Sequence, residues 1–142
     1  MTTLNVAAVM DAIAATLVAQ SVTTTANTYA FPVPSFTPPC AIVGYPAKGA
    51  IDLDRTFKRG GVEATFPVWM VVGKALDLSA RNALSAAIDG GATTVKTALE
   101  SGGGTLGSVV ASTQVMSPDV EVISDTLGTE YLAARFDVQV LL

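Results

Sequence analysis

The sequence predicts a single α+β domain over residues 1–142, with helices packed on one face of a mainly antiparallel or mixed β-sheet. Three observations carry this prediction. Apolar residues recur at helical spacing near the N-terminus and again after residue 77. Two strand-period runs, 51–57 and 62–72, are separated by a short glycine-bearing loop, which is typical of a β-hairpin. The resulting order of helix, strands, helices and strands is that of an α+β domain.

The composition favours a packed domain that carries little charge. Half of the residues are hydrophobic and 14% are charged, against roughly 25% in an average soluble domain. Burial of surface in an assembly is one way to keep so weakly charged a protein in solution. The net charge of −4 is not that of a nucleic-acid-binding protein, which needs clustered Lys and Arg. It does suit a surface along which DNA passes without being held.

The first helix is predicted by a stripe of apolar residues, with Thr3 or Asn5 expected to cap its start. Alanines occupy much of the opposite side of this helix, so we expect it to be covered on more than one side. The stripe consists of Val6, Val9, Met10, Ile13 and Leu17, and the alanines are Ala7, Ala8, Ala12, Ala15 and Ala19.

Prolines divide the stretch that follows. A short strand is expected at about 28–31, and 32–39 then forms an extended loop because its four prolines forbid regular strand pairing. The apolar run 40–44 predicts a short buried strand. Cys40, within this run, is interpreted as a small buried thiol, because the chain contains no histidine that would activate it as a nucleophile.

The hairpin that follows presents different residues on its two faces. In its second strand Pro67 and Trp69 lie opposite the apolar residues. A large aromatic on this second face needs a cover, and a neighbouring protein is one source of it. The opposed apolar residues are Val62, Ala64, Phe66, Val68, Met70 and Val72.

The C-terminal half is expected to contain two helices and three strands. Asp77 is the expected N-cap of a helix that stops at Gly90–Gly91, and a shorter helix follows with Val95 and Leu99 facing inward. The strands are expected at 109–115, 120–123 and 130–140. In the last strand, Leu132, Ala134, Phe136, Val138 and Val140 face one way, and Tyr131, Ala133, Arg135, Asp137 and Gln139 face the other.

The sequence motifs give no support to catalysis. With no histidine in the chain, Ser–His–Asp and Cys–His sites are excluded, while Ser–Lys or carboxylate-only chemistry stays open. The pattern G-x-G-x-x-G at 102–107 follows a helix and precedes a strand, the reverse of the order in a dinucleotide site, and is interpreted as a turn. Asp52 and Asp54 share a strand face without a third acidic ligand nearby, and are interpreted as solvent-exposed. We therefore expect no enzyme activity, no cofactor and no metal, and no apolar run approaches the roughly 20 residues of a membrane span.

The expected hairpin tip carries Lys58 and Arg59, and two interpretations of it stay open. It is either a soluble turn or a basic finger that meets an acidic surface on a partner. Residues 119–137 hold five acidic residues against the single basic Arg135, and they offer such a surface on a neighbouring copy. A ring joined head to tail would use two different patches in this way.

Several short stretches match one family of proteins. They are Pro-Pro-Cys-Ala-Ile-Val-Gly-Tyr-Pro at 38–46, Ile-Asp-Leu-Asp at 51–54, Arg-Gly at 59–60, Thr-Phe-Pro-Val-Trp at 65–69, Val-Lys-Thr-Ala-Leu-Glu at 95–100 and Tyr-Leu-Ala-Ala at 131–134. The chain resembles, in these stretches, the tail terminator proteins of long-tailed (siphovirus) phages of actinobacteria. The resemblance covers nearly the whole chain, and its best-matched part runs from Pro38 to Gly73. The threonine-rich run 20–26 departs from the family, in which a basic residue and a glycine are usual there.

The resemblance implies a small tail-terminator-like α+β subunit that assembles into a homo-hexameric ring in the virion. Such a ring caps the tail tube at its head-proximal end, stops tube polymerisation and joins the tail to a connector or stopper protein of the head. DNA passes through its lumen without specific binding, and assembly takes place in the host cytoplasm. No membrane is involved.

For the contacts between copies we expect Trp69, Lys58 and Arg59 to take part. The proline loop, with Pro38 and Pro39, is expected to reach a neighbouring copy or the connector. The alternatives are another head–tail connector or a tail tube subunit of the same virion, or a small bacterial ligand-binding domain.

Overall fold

The computed structural model describes residues 5–19, 28–31, 36, 40–46, 51–52, 63–74, 78–88, 95–100, 106, 110, 112–116, 118–124 and 127–141. Within these residues the chain forms three helices and seven strands. In chain order they are α1 (Val6–Ala19), β1 (Thr28–Tyr29), β2 (Cys40–Val43), β3 (Ile51–Asp52), β4 (Glu63–Lys74), α2 (Leu78–Ile88), α3 (Val95–Glu100), β5 (Ser112–Val115), β6 (Asp119–Ser124) and β7 (Glu130–Leu141).

The two longest strands, β4 and β7, form the centre of a single sheet. They pair antiparallel from Glu63 opposite Leu141 to Lys74 opposite Tyr131, with one irregularity near Gly73. On the outer side of β4, β2 and β3 pair in succession along its length, and β5 and β6 do the same along β7. β1 lies outermost and runs parallel to β2. The sheet is therefore mixed, with one parallel pairing among mostly antiparallel ones, and the coarse α+β prediction is confirmed.

The helices pack on one face of this sheet. α1 packs on β1 and β2, α2 on β4 and β7, and α3 on β5 and on α1. Their apolar residues and those of the facing strands form the main core, and the strand alternation predicted for β4 and β7 is the one observed. The buried members of this core from the two central strands are Ala64, Phe66, Val68, Met70, Ala134, Phe136, Val138 and Val140.

The first helix begins as predicted, and three alanines on its outer side are exposed. The backbone N–H of Ala8 donates to Asn5 Oδ1 at 3.0 Å, so Asn5 is the N-cap. The predicted stripe is buried from Val9 onward. Ala7, Ala15 and Ala19 are exposed, however, because no element among the described residues lies over that side of α1. Within the described residues α1 contacts β1, β2 and α3, and a further cover over these three alanines stays a prediction.

The remaining strand predictions are confirmed: β1, β2, β3 and β5 lie within the expected ranges, and β6 exceeds the expected 120–123 by one residue at each end. β3 and β4 form the base of the predicted hairpin, with Ile51 opposite Ala64 and Asp52 opposite Glu63. The tip of this hairpin and Asp77 lie outside the described residues. Leu106, in the glycine-rich stretch interpreted as a turn, lies in a turn with a φ of 49°.

Candidate subunit interface

Trp69 lies on the face of the sheet that the helices do not cover, which we call the second face. Its register neighbours are Ile42 on β2 and Arg135 on β7. The indole packs directly over Gly44, since a Cβ atom at Gly44 would lie 2.4 Å from the ring. The buried Gly44 therefore provides the floor on which the ring rests, and the Trp69 side chain is half-buried.

Glu121 fixes the polar end of this indole. Trp69 Nε1 donates to Glu121 Oε2 at 3.0 Å, and the other carboxylate oxygen, Oε1, lies 2.7 Å from Nη1 of Arg135. Glu121 stands on β6, and its register partner on β7 is Ala133. Because Ala133 has only a methyl side chain, Glu121 has room to cross it and reach β4. One carboxylate thus joins residues of three adjacent strands.

Arg135 is surrounded by carboxylates. Its Nη2 atom lies 3.2 Å from Asp119 Oδ2, and its Nε atom lies 3.4 Å from Asp137 Oδ1. The Nε contact is an ion pair without hydrogen-bond geometry, so Nε has no hydrogen-bond partner among the described residues. Three carboxylates, including Glu121, face one guanidinium, so the cluster keeps a surplus of negative charge. As these groups are partly exposed, each pair contributes a few tenths of a kcal/mol, up to about 1.

Aromatic side chains, not a helix, close the adjacent part of the second face. They pack over a small buried cluster, and the rings of Phe36 and Tyr131 meet with centroids 5.0 Å apart. Such tilted aromatic pairs stabilise beyond the area that they bury. The chain therefore supplies part of the cover that Trp69 needs. The buried cluster is Cys40, Ile42, Val71 and Ala133, and the side chains packed against it are Tyr29, Phe36, Trp69, Ile123 and Tyr131.

Cys40 is fully buried in this cluster, as expected. Burial raises the pKa of the Cys40 thiol to about 11, because desolvation disfavours the thiolate. The thiol is therefore protonated at neutral pH and lacks the nucleophilic form.

The other half of the second face is polar. Gln139 on β7 donates from Nε2 to Glu63 Oε1 on β4. Beside them lies an open depression of about 320 Å³, lined by Glu63, Ser112, Thr113, Gln114, Gln139 and Leu141. Its polar groups are two hydroxyls, two amides and the Glu63 carboxylate, spread over three strands, and nothing in this lining selects a particular ligand.

Large apolar side chains are exposed mainly along the two opposite edges of the sheet. Val120 and Val122 on β6 are 58% and 55% exposed, although their register partners Ala134 and Leu132 belong to the helix-covered face. The main contacts of the described parts of the helices are with β1, β2, β4, β5 and β7, and β6 is not among them. We define the β6 edge as β5 and β6 with the exposed side chains Met116, Val120, Val122 and Leu127.

The opposite side of the sheet has exposed apolar residues of its own. We define the β1 edge as β1, β2 and β3 with the exposed side chains Phe31, Tyr45 and Ile51. Next to it, α1 and Thr28 border an apolar depression of about 380 Å³, which we call the α1 groove. Among the described residues, Leu78 on α2 is the one other exposed large apolar side chain. The α1 groove is lined by Ala14, Ala15, Val18, Ala19 and Thr28.

Of the residues expected at contacts between copies, the structure describes Trp69 alone. Its ring and its N–H group already have partners within the chain, and its contact with a neighbouring copy stays a prediction. Lys58, Arg59, Pro38 and Pro39 lie outside the described residues.

Sequence reasoning missed the residues of β6 that matter most here. The strand itself was expected at 120–123, but neither the reach of Glu121 to Trp69 nor the exposure of Val120 and Val122 was. The alternation of acidic and apolar residues from Asp119 to Val122 was the available signal. It shows two different faces, but it does not show that the strand lies at the edge of the sheet.

The described residues contain no group of three or more His, Cys, Asp or Glu side chains arranged to hold a metal ion. The side chains of Asp52 and Asp54 lie outside the described part. No helix in the described part of the chain is long and apolar enough to cross a membrane.

Comparison with protein-family models found no family that matches the chain. No curated protein matches it either.

Proposed function

We propose that this chain is a tail terminator subunit, a structural virion protein that forms a ring on the head-proximal end of a phage tail tube. The ring stops tube polymerisation and joins the tail to the head-completion proteins. The observation that carries the proposal is the concentration of exposed apolar side chains on the β6 edge and the β1 edge. Contiguous exposed apolar surface usually marks a site of protein contact.

The two edges favour a ring over a simple dimer. They are different surfaces on opposite sides of one sheet, and a contact between two different patches repeats head to tail. Such a contact generates a closed ring where the rotation between neighbours closes, and a filament where it does not. A tail terminator needs the closed form.

The choice of a tail terminator among ring-forming proteins comes from the sequence resemblance between Pro38 and Gly73. The α+β architecture with helices on one face of the sheet agrees with that resemblance at the level of fold class. A fold class alone hosts many functions. The resemblance and the exposed edges therefore support the proposal from two separate directions.

The task of a terminator is one of differential binding. The ring binds the last ring of the tube more favourably than a further tube subunit does, and its other face does not accept tube subunits. Specific interfaces of this kind bury on the order of 800 Å² per partner. The net charge of −4 suits a lumen that DNA crosses without being held.

Electron microscopy and mass measurement of the purified protein test the proposal. A terminator stops at a single ring, whereas a tube subunit polymerises into filaments. The same preparation is then added to a phage tail tube protein, where it should cap the tubes and arrest their growth. Tube lengths measured with and without the chain give a direct reading of that arrest.

Two results would overturn the proposal. One is a chain that remains a monomer or dimer even when the tube protein is present, which favours a small ligand-binding domain. The other is continuous growth into filaments, which favours a tube subunit. The position of the gene beside a tube or tape-measure gene is the quickest independent check.

A further inference from the structure

We propose that Arg135 and Glu121 form an electrostatic latch that holds β6 on the sheet. When this latch is weakened, β6 opens away from β7 while the rest of the sheet stays folded. Opening uncovers the backbone edge of β7 from Glu130 to Arg135 and releases the N–H group of Trp69. The inference does not depend on the proposed function, because it concerns a movement within one chain.

β6 contributes little to the core, and β5 provides the comparison. Both strands pair antiparallel with β7, one after the other along the same side. β5 carries the buried Thr113 and Val115, and α3 packs on it. Of the six residues of β6 none is buried, and Val120 and Val122 are more than half exposed. Local opening of a native protein is easiest where buried apolar contacts are few, so β6 should open before β5.

The contacts between β5 and β7 define where the opening ends. The backbone N–H of Met116 donates to the carbonyl oxygen of Asp137 at 2.8 Å, shortly before β6 begins. The preceding residue, Val115, belongs to the main core. Because hydrogen bonds and burial hold the chain on β7 up to residue 116, the segment that opens is β6 itself, 119–124.

Both charged side chains of β6 contact Arg135 of β7. Asp119 Oδ2 lies 3.2 Å from Nη2 of this arginine, and Glu121 Oε1 lies 2.7 Å from Nη1. Glu121 also accepts the hydrogen bond from the Trp69 indole, so it links β6 to β4 across β7. Ile123 adds an apolar contact with the small buried cluster. Partly exposed ion pairs are weak, but a strand without buried residues needs little energy to shift its opening equilibrium.

Arg135 decides whether the charges on β6 and β7 attract or repel each other. With the guanidinium in place, both carboxylates of β6 lie within 3.2 Å of a cation on β7. Asp137, on β7 itself, adds a third carboxylate 3.4 Å from the Nε atom of Arg135. Without the guanidinium, Asp119 and Glu121 would face Asp137 alone, and like charges on neighbouring strands repel. The removal of one cation therefore reverses the sign of the interaction between the strands.

Hydrogen exchange of the full chain, followed by mass spectrometry, measures the opening of β6. It is run at a concentration where light scattering gives the monomer mass of 14.5 kDa, so that no neighbouring copy protects the strand. In the wild-type chain, peptides that cover 119–124 should exchange faster than peptides from β4. Glu121→Gln removes the charge but keeps an oxygen that can accept from Trp69, and it should speed this exchange about two- to fivefold. Arg135→Gln should speed it further, because repulsion replaces attraction.

Asp11→Asn on α1 and Arg81→Gln on α2 are the matched controls. They make the same two changes of charge at exposed positions on helices, so both should leave the exchange of β6 at the wild-type rate. Circular dichroism confirms that each variant is folded. If Arg135→Gln fails to fold, the wild-type and Glu121→Gln chains still test the latch through their response to salt.

Ionic strength separates an electrostatic latch from a contact that is merely structural. Raising the salt from about 0.05 M to about 1 M shortens the screening length to about 3 Å. In the wild-type chain this weakens an attraction, so β6 should exchange faster relative to β4. In Arg135→Gln it weakens a repulsion, so β6 should exchange more slowly. The expected result is a salt response of opposite sign in the two chains, and a smaller response in Glu121→Gln than in wild type.

Three results would overturn the latch. The first is a wild-type β6 as well protected as β4, which would mean that β6 opens only when the whole chain unfolds. The second is a control variant that speeds the exchange of β6 as much as Glu121→Gln does. The third is a wild-type β6 whose exchange does not rise with salt, or an Arg135→Gln chain that responds to salt in the same direction as wild type. Failure of the chain to form a ring would count against the proposed function alone.

Discussion

Val138 and Val122 are the same residue type on the same face of one sheet, yet Val138 is fully buried and Val122 is 55% exposed. Val138 stands on β7 opposite Phe66, at the centre of the sheet. Val122 stands on β6 opposite Leu132, one strand further out. Val138 belongs to the main core, whereas β6 is not among the strands with which the described parts of the helices make their main contacts. The two valines have the same side chain and lie on the same face, so the difference in exposure comes from their distance from the centre of the sheet.

The same comparison applies on the side of β1. Phe66 on β4 is fully buried, whereas Phe31, which follows β1, is 56% exposed. The centre of the sheet thus has its full complement of contacts within one chain, and both edges retain apolar surface. The stability of the monomer should therefore depend on the centre, and assembly should depend on the edges.

The largest expected effect is a loss of monomer stability from a substitution at the centre of the sheet. Phe66→Ala should lower the free energy of unfolding by about 3–5 kcal/mol, because it removes a fully buried ring and leaves a cavity. Phe31→Ala, the same substitution at an exposed position, should change stability by no more than about 0.5 kcal/mol. Urea denaturation at a concentration where the chain is monomeric measures both, since assembly would add its own stabilisation. Equal losses would mean that Phe31 is covered within the chain and that the contrast is wrong.

A second pair of substitutions tests the same contrast between the centre and the edge of the sheet, with a smaller expected loss of stability. Val138→Ala removes two buried methyl groups and should cost about 2–3 kcal/mol, from the lost transfer energy and the cavity together. Val122→Ala should leave the unfolding midpoint of the monomer within about 0.5 kcal/mol of wild type. If the proposed ring forms, sedimentation of the assembled protein should show the larger loss for Val122→Ala, because Val122 lies at the exposed edge. A Val122→Ala chain that assembles as well as wild type would remove β6 from the interface.

Much of the fold could be predicted from the sequence, because alternation and helical spacing are local properties. The face of Phe66 and Val68, the stripe of α1 and the strand at 130–140 follow from the residue period alone. Whether β6 is central or peripheral depends on the pairing of distant strands, which no local pattern encodes. For that reason the exposure of Val120 and Val122 could not be predicted.

The candidate site likewise contains residues that local patterns predict and residues that depend on long-range strand pairing. Trp69 follows from the sequence because a large aromatic on the second face of a strand needs a cover. Its partners Glu121 and Gly44 were not found, since they lie 52 and 25 positions away along the chain and meet Trp69 only through the sheet register. Lys58 and Arg59 remain a prediction from charge alone.

The smallest expected effect concerns Gly44, which follows β2 directly and is buried. A Cβ atom at this position would lie 2.4 Å from the Trp69 ring and 2.8 Å from the Pro67 side chain. Gly44→Ala should therefore displace the indole from its floor and from Glu121, at a cost of about 1–2 kcal/mol, in the range for overpacking a closely packed site. The chain has a single tryptophan, so a red shift of its fluorescence would report the displacement directly.

The control for this prediction is the same substitution in a Trp69→Leu background. If the indole is the group that clashes, Gly44→Ala should cost much less there, and a double-mutant cycle would assign the difference to the pair. An equal cost in both backgrounds would place the clash at Pro67 instead. The two residues are buried in different ways. Val138 is buried in the main core, whereas Gly44 is buried beneath one aromatic ring that Glu121 holds in place. The second kind is the more easily lost, because one added methyl group is enough to displace the ring.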